Sequence, residues 1–197
     1  MLGSAPVLPD LLRPGLGLVI CGSAAGAVSA ARGAYYAGPG NKFWRILAET
    51  GLTSRRLEPG EFRALLEFGI GLTDLVKTAS GSDRTLPREA NDLAGLIDRI
   101  RLVNPAMVAF NGKRAAAVFY EIPGHRLGYG PGPPVANFPS VWVLPSTAGT
   151  ACGSWSDLPW RELADAIAKS AVCGRVHDRY AGARLPGSNR VLTASGR

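Results

Sequence analysis

Short apolar runs of strand length, alternating with stretches of helical periodicity, constrain this chain more than any other feature of its sequence. LGLVIC (16–21), AMVAF (106–110) and VWVL (141–144) are strand-like, and turn-forming pairs such as Pro14-Gly15 and Asn104-Pro105 bound them. A brief strand is expected over 70–72, ending in Thr73-Asp74. Leu93, Leu96, Ile97 and Ile100 recur at helical spacing within 88–101, and Asn104-Pro105 stops that helix. Further helices are expected from about Asn41 (Phe43, Trp44, Leu47 and Ala48 on one face), over 60–67, over 113–120, and over 159–169 with Pro159 in the first turn. Strands alternating with helices predict a parallel α/β sheet with helices on both faces. Working loops of such sheets lie beyond the carboxyl ends of the strands, which selects residues 22–40, 73–80, 111–114 and 145–152.

With 46% hydrophobic and 19% charged residues, the chain can build a core, and wholesale disorder is excluded. No apolar run approaches the roughly 20 residues of a membrane-spanning helix, so no membrane is expected as a partner. Cys21, Cys152 and Cys173 are odd in number and far apart, which argues against a disulfide framework or a metal site and fits a cytoplasmic location. The net charge is +7, and residues 170–197 hold five basic side chains against one acidic. Residues 1–170 therefore read as one domain and 171–197 as a basic, flexible tail. Such a tail suits a polyanionic partner or simply keeps the chain soluble.

Several residues in the selected loops carry possible chemistry. The small residues of CGSAAG, including Gly22, Ser23 and Ala24, let backbone N–H groups approach a ligand. There is no G-x-G-x-x-G and no Walker lysine, so a nucleotide cofactor is not indicated. In AYYAGPGNKFW, a rigid turn holds Tyr36 as either a stacking platform or a packed loop residue. Asn41 offers a donor and an acceptor, while Phe43 and Trp44 read as core. Asn111 stands at a strand end, followed by Lys113 and Arg114, which would face phosphate or plain solvent. Asp83, in SGSDRTL, is either a second acidic candidate in a loop that could reach DNA or a surface pair with Arg84. His125 and His177 fall in a Gly/Pro loop and in the tail.

CGSAAG, Tyr36 with the Gly38-Pro39-Gly40 turn and Asn41 to Trp44, GIGLTDLVK (69–77), FNGKRA (110–115) and LPSTAG (144–149) occur in this order. Together they resemble the uracil-DNA glycosylase superfamily, in particular its mismatch-specific uracil-DNA and thymine-DNA glycosylase branch. The resemblance implies a three-layer α/β/α sandwich around a short, mainly parallel sheet, without metal or cofactor and acting as a monomer. It also implies hydrolysis of the N-glycosidic bond of uracil or a related deaminated base flipped out of DNA, leaving an abasic site. Gly22, Ser23, Ala24, Tyr36, Asn41, Asn111 and Ser146 would then line the base, and Lys113, Arg114, Thr147, Gly149 and Thr150 would meet the DNA.

The sequence departs from the branch at three places. Ala24 stands where the branch carries a water-positioning asparagine, Ser146-Thr147-Ala148 stands for Asn-Pro-Ser, and Thr150 falls near the large apolar wedge. Asp74 resembles an aspartate thought to serve in bacterial members that lack this asparagine. A carboxylate there would stabilise an oxocarbenium-like sugar or activate water, and at the ordinary aspartate pKa of about 3.9 it would be ionised at neutral pH. The plainer role for Thr73 or Asp74 is to cap the following turn. Shifted lesion specificity (hypoxanthine, xanthine, mismatched thymine) and a non-catalytic binder of damaged or abasic DNA are the alternatives.

Overall fold

The computed structural model describes residues 5–151 and 155–181, with side chains through Ser170. Strands β1 (Leu18–Ala25), β2 (Ile70–Ser80), β3 (Met107–Asn111), β4 (Gly130–Pro131) and β5 (Ser140–Leu144) form one sheet in the order β2-β1-β3-β5-β4. All neighbours are parallel except β4, which lies antiparallel on β5. Leu18, Ile20, Ile70, Leu72 and Leu144 bury one face against α1 (Ala27–Arg32), α2 (Phe43–Glu49), a 3-10 helix (Pro59–Phe68) and α5 (Leu158–Ala181). Val19, Cys21, Val108, Phe110 and Val143 bury the other against α3 (Leu93–Val103) and α4 (Lys113–Phe119). This is the expected α/β/α arrangement. From β1 the chain moves outward to β2 and then crosses back to β3, so the topological switch falls between β1 and β3 and opens a crevice at their carboxyl ends.

The main difference from expectation concerns the first two strands. Both continue beyond their apolar runs, pairing Gly22 with Asp74 and Ala24 with Val76 before a register break brings Ala25 opposite Ser80. Residues 22–25 and 73–80 are therefore strand, not loop, and Asp74 sits mid-strand. The small side chains of 21–25 let the backbone stay extended, and a third partner supports β2 from outside. Val7 N–H donates to the Lys77 carbonyl at 2.7 Å, and Leu11 and Leu72 exchange both backbone bonds. This edge segment, with buried Leu8 and Leu11, protects a strand that would otherwise be open.

The remaining elements differ less. Asp92 starts α3 by accepting the Gly95 N–H at 3.0 Å, while residues 88–90 form a separate 3-10 turn. Asn104, in the left-handed region, ends α3 as anticipated. The span 60–67 is a 3-10 rather than an α-helix. Helix α5 runs past Lys169 to Ala181, so the backbone of the first part of the expected flexible tail is helical. Residues 182–197 and Cys152 lie outside the described residues, as does the side chain of His177. No described helix is long and apolar enough to cross a membrane.

Gly71 marks where the edge segment closes on β2: a Cβ there would lie 2.6 Å from Leu16 Cδ1 and 2.8 Å from the Leu11 carbonyl oxygen. We expect Gly71→Ala to cost about 1–3 kcal/mol by overpacking, read as a lowered urea midpoint at unchanged slope. An unchanged midpoint would mean that the edge segment moves aside freely.

Candidate active site

Register partners in a parallel pair project to the same face, so Gly22 and Asp74 both point toward the layer holding Tyr35, Tyr36 and Phe43. Asp74 is 3% exposed. A Cβ on Gly22 would collide with Asp74 Oδ1 and lie 3.3 Å from the Tyr36 hydroxyl oxygen. A carboxylate and a phenol thus converge over a bare stretch of β1 backbone, and only glycine leaves room for them. The turn-capping role for Asp74 falls away, since the residue lies inside β2. Pairing of β1 with β3 stops at Cys21 and Phe110, while pairing with β2 continues. Beyond Cys21, one edge of β1 is unpaired, and alternate backbone groups face the crevice instead of the whole run expected from a loop. Ser23, on the opposite face from Gly22 by strand alternation, is buried. Ala24 is half-buried.

Tyr36 adopts φ +54°, an uncommon conformation for a bulky residue. Its ring stacks on Phe43 with centroids 3.8 Å apart and planes 23° apart. Its hydroxyl is buried with no hydrogen-bond partner among the described residues. Phe43, on the first turn of α2, thus covers one face of the Tyr36 ring. Phe43 and Trp44 are core, as expected.

The loops around this centre are tied to one another. Lys42 N–H donates to the Thr147 carbonyl at 2.9 Å. Thr147 N–H donates to Asn111 Oδ1 at 3.0 Å, and Asn111 Nδ2 donates back to Thr147 Oγ1 at 2.8 Å. Gly149 passes so close to the Gly-Pro-Gly turn that a Cβ would lie 2.6 Å from the Pro39 carbonyl oxygen. Asn41 Oδ1 accepts the Phe43 N–H at 3.0 Å, and Ser146 Oγ accepts the Ala148 N–H at 3.4 Å.

These bonds give several of the expected site residues a structural role. Thr147, placed on the DNA side, is 0% exposed and clamps two loops. Gly149 serves a close backbone approach. Asn41 and Asn111 each spend their side-chain oxygen on backbone N–H groups, leaving less for a base edge. Lys113 Nζ sits 4.4 Å from the Tyr129 ring centroid, and Arg114 Nη1 is buried without a partner among the described residues, so neither is a plain solvated charge. Thr150 is exposed at the rim. Asp83 and His125 are exposed.

Burial pushes the Asp74 carboxyl up to about 7, and the Asp10 charge adds to this. Lys77, Arg99 and the Tyr35 hydroxyl pull it back down. An aspartate fully ionised at neutrality, as expected from the sequence, is replaced by one poised between its two forms. Burial, and then the Asp74 charge, push the Tyr36 phenol well above the usual tyrosine range, with Asn111 opposing. Asp10, Tyr35, Lys77 and Arg99 escaped sequence reasoning, since nothing in their spacing connects residue 10 with residues 77 and 99. Two surface clefts, of about 340 and 290 Å³, lie elsewhere. One is lined by Gly17, Thr50, Phe68 and Asp165, the other by Pro131, Phe138 and Trp142, and neither includes Asp74.

Comparison with known proteins agrees with this architecture. Residues 9–163 match the family model of the uracil DNA glycosylase superfamily. A solution structure from Methanosarcina acetivorans, provisionally described as a uracil DNA glycosylase, is similar with a TM-score of 0.57 and 22% identity. The match covers 81% of this chain and 96% of that one. At such identity the likeness bears on the fold, a mostly parallel sheet with helices on both sides.

The raised Asp74 pKa carries a stability consequence of definite sign. Between about pH 4, where the unfolded carboxyl ionises, and about pH 7, where the folded one does, the folded state holds the extra proton. Unfolding free energy should therefore fall as pH rises through that window and then level off. We expect Asp74→Asn to remove this component of the slope and to unfold at higher denaturant than the parent at pH 8. An unchanged slope would show that Asp74 titrates as an ordinary carboxylate.

Proposed function

The chain belongs to the uracil-DNA glycosylase superfamily, and from that premise we propose that it is a monofunctional uracil-DNA glycosylase of the mismatch-specific type, with Asp74 as its working carboxylate. The observation that carries this reading is the Asp74 carboxyl, buried against Gly22 beneath the Tyr36 phenol at the β1/β3 switch. Ala24 has only a methyl group and cannot orient water, so the hydrolytic duty passes to the neighbouring strand.

In the proposed reaction, the C1′–N bond of a flipped nucleotide breaks, and the base leaves with the bonding electrons. An oxocarbenium-like sugar remains. Water attacks C1′ and gives up a proton to Asp74, which returns it to solvent as the departing base anion takes one up. Ionised Asp74 also stabilises the sugar cation before attack. A base with a pKa near 7 combines a substantial ionised fraction with real basicity. A flipped base stacks on the Tyr36 face opposite Phe43, which returns roughly 1–3 kcal/mol of the unstacking cost. Lys77 is engaged by Asp10, and Lys42 and Lys113 sit over the Trp155 and Tyr129 rings. None of the three is offered to C1′ for Schiff-base chemistry, which supports a product with an intact abasic strand.

One observation favours broader lesion choice as a second reading. The side-chain oxygens of Asn41 and Asn111 already accept backbone N–H groups, so the pyrimidine edge meets few dedicated partners. Hypoxanthine and xanthine then become plausible substrates beside uracil and mismatched thymine.

Base release from a uracil-containing duplex under single-turnover conditions tests the main reading. Asp74→Asn should slow it by about 10²–10⁴-fold while DNA affinity stays within a few-fold. The parent rate should rise with pH and inflect near 7. Turnover kept within a few-fold by the variant would remove Asp74 from the chemistry. A parent that binds without ever releasing base would make the protein a binder of damaged DNA. Strand breaks appearing before alkali or heat would refute monofunctionality. On a panel of single-lesion oligonucleotides, the second reading expects purine lesions to be released within about tenfold of uracil, whereas strict uracil release would exclude it.

A further inference from the structure

The edge segment before β1 brings a second carboxylate to the outer side of β2. Asp10 Oδ1 accepts from Thr73 Oγ1 at 2.8 Å and from Lys77 Nζ at 2.7 Å, and Asp10 Oδ2 lies 3.4 Å from Arg99 Nε. Lys77 Nζ also donates to the Tyr35 hydroxyl at 3.4 Å, and Arg99 Nη2 donates to the backbone carbonyl of Asp74 at 3.2 Å. Arg99 is held further by Asp92 at 2.9 Å. The Lys77 side chain is only 12% exposed and the Asp10 side chain 26%, so solvent screens this cluster incompletely.

We propose that Asp10 is a positioning residue for the reaction: by fixing Lys77 and Arg99 along β2, it sets the charge balance around Asp74 and hence the pH at which the site works. The proposal rests on Asp74 being the working carboxylate. Every element packed around Asp74 takes part. Lys77 comes from its own strand, Asp10 from the edge segment, Arg99 from α3, Tyr35 and Tyr36 from the loop before α2, and Cys21 from β1. Both tyrosines and the cysteine are buried and stay protonated, their pKa values raised by burial first and the Asp74 charge next. The groups that alter the balance are therefore one anion and two cations. Asp10 opposes ionisation of Asp74, while Lys77 and Arg99 favour it. Without Asp10, the two cations would act on Asp74 uncompensated.

This predicts opposite displacements from two substitutions. Asp10→Asn should move the inflection of the pH–rate profile to lower pH by about half a unit or more, and Lys77→Gln should move it to higher pH by a similar amount. Asp10→Glu keeps the charge and should restore the parent inflection. A merely structural role would lower the rate at every pH and leave the inflection in place, which would overturn the proposal, as would displacement of both variants in one direction. The Asp74 carboxyl carbon should be followed in parallel by NMR through the same titrations. If Asp74→Asn proves active, the catalytic reading fails, yet the NMR titration still shows whether Asp10 and Lys77 govern Asp74. If Asp10→Asn does not fold, the Lys77 variant with Lys77→Arg as its rescue decides the question.

Discussion

A carboxylate packed against bare backbone, Asp74 over Gly22, is the contact on which the rest of this site depends. Burying an ionisable group is costly unless it is paired, hydrogen-bonded or kept neutral. Here the cost shows as a pKa carried up to about 7. The surroundings leave that carboxyl poised rather than saturating it. Its cations, Lys77 and Arg99, are shared with Asp10 and Asp92 instead of pairing with it directly. The Tyr36 hydroxyl above is itself unsatisfied. Unsatisfied and desolvated polar groups are rare in well-packed interiors, and here a buried carboxyl and an unpartnered phenol lie side by side at the switch point.

Around this centre the protein is rigid by design of its loops. The reciprocal Asn111–Thr147 pair, the Lys42–Thr147 backbone bond and the Gly149–Pro39 approach join the ends of β3 and β5 to the turn that starts α2. Phe43 is positioned by that turn through Asn41, and Tyr36 rests on Phe43.

The layered α/β architecture was legible because strand and helix periods differ, and runs such as AMVAF and VWVL carry no polar interruption. Motif residues at the strand ends also fell where the crevice lies. The lengths of β1 and β2 were not legible. Thr73-Asp74 within GIGLTDLVK reads locally as a strand stop, and it is pairing with β1 on one side and with residues 7–11 on the other that keeps the backbone extended through Asp74 to Ser80. Side-chain amides misled in the opposite sense. Asn41 spends its oxygen locally on the Phe43 N–H at the start of α2. Asn111 has the right chemistry for a base edge, but a long-range bond from the Thr147 N–H occupies its oxygen, and no local pattern announces it. Asp10 was invisible for the same reason, being 67 residues in sequence from the lysine it holds.

The edge segment does more than cover β2. Because side chains alternate faces along a strand, a one-residue slip of β2 against β1 would turn Thr73 toward Gly22 and Asp74 toward α3. The Leu11–Leu72 bonds and the Asp10–Thr73 bond both oppose that slip, the first through backbone and the second through side chains on the outer edge. The Gly22–Asp74 contact adds a steric condition, since every other residue type at position 22 would meet the carboxyl. Placement of the Asp74 carboxyl over Gly22 thus depends on one short stretch of chain outside the sheet.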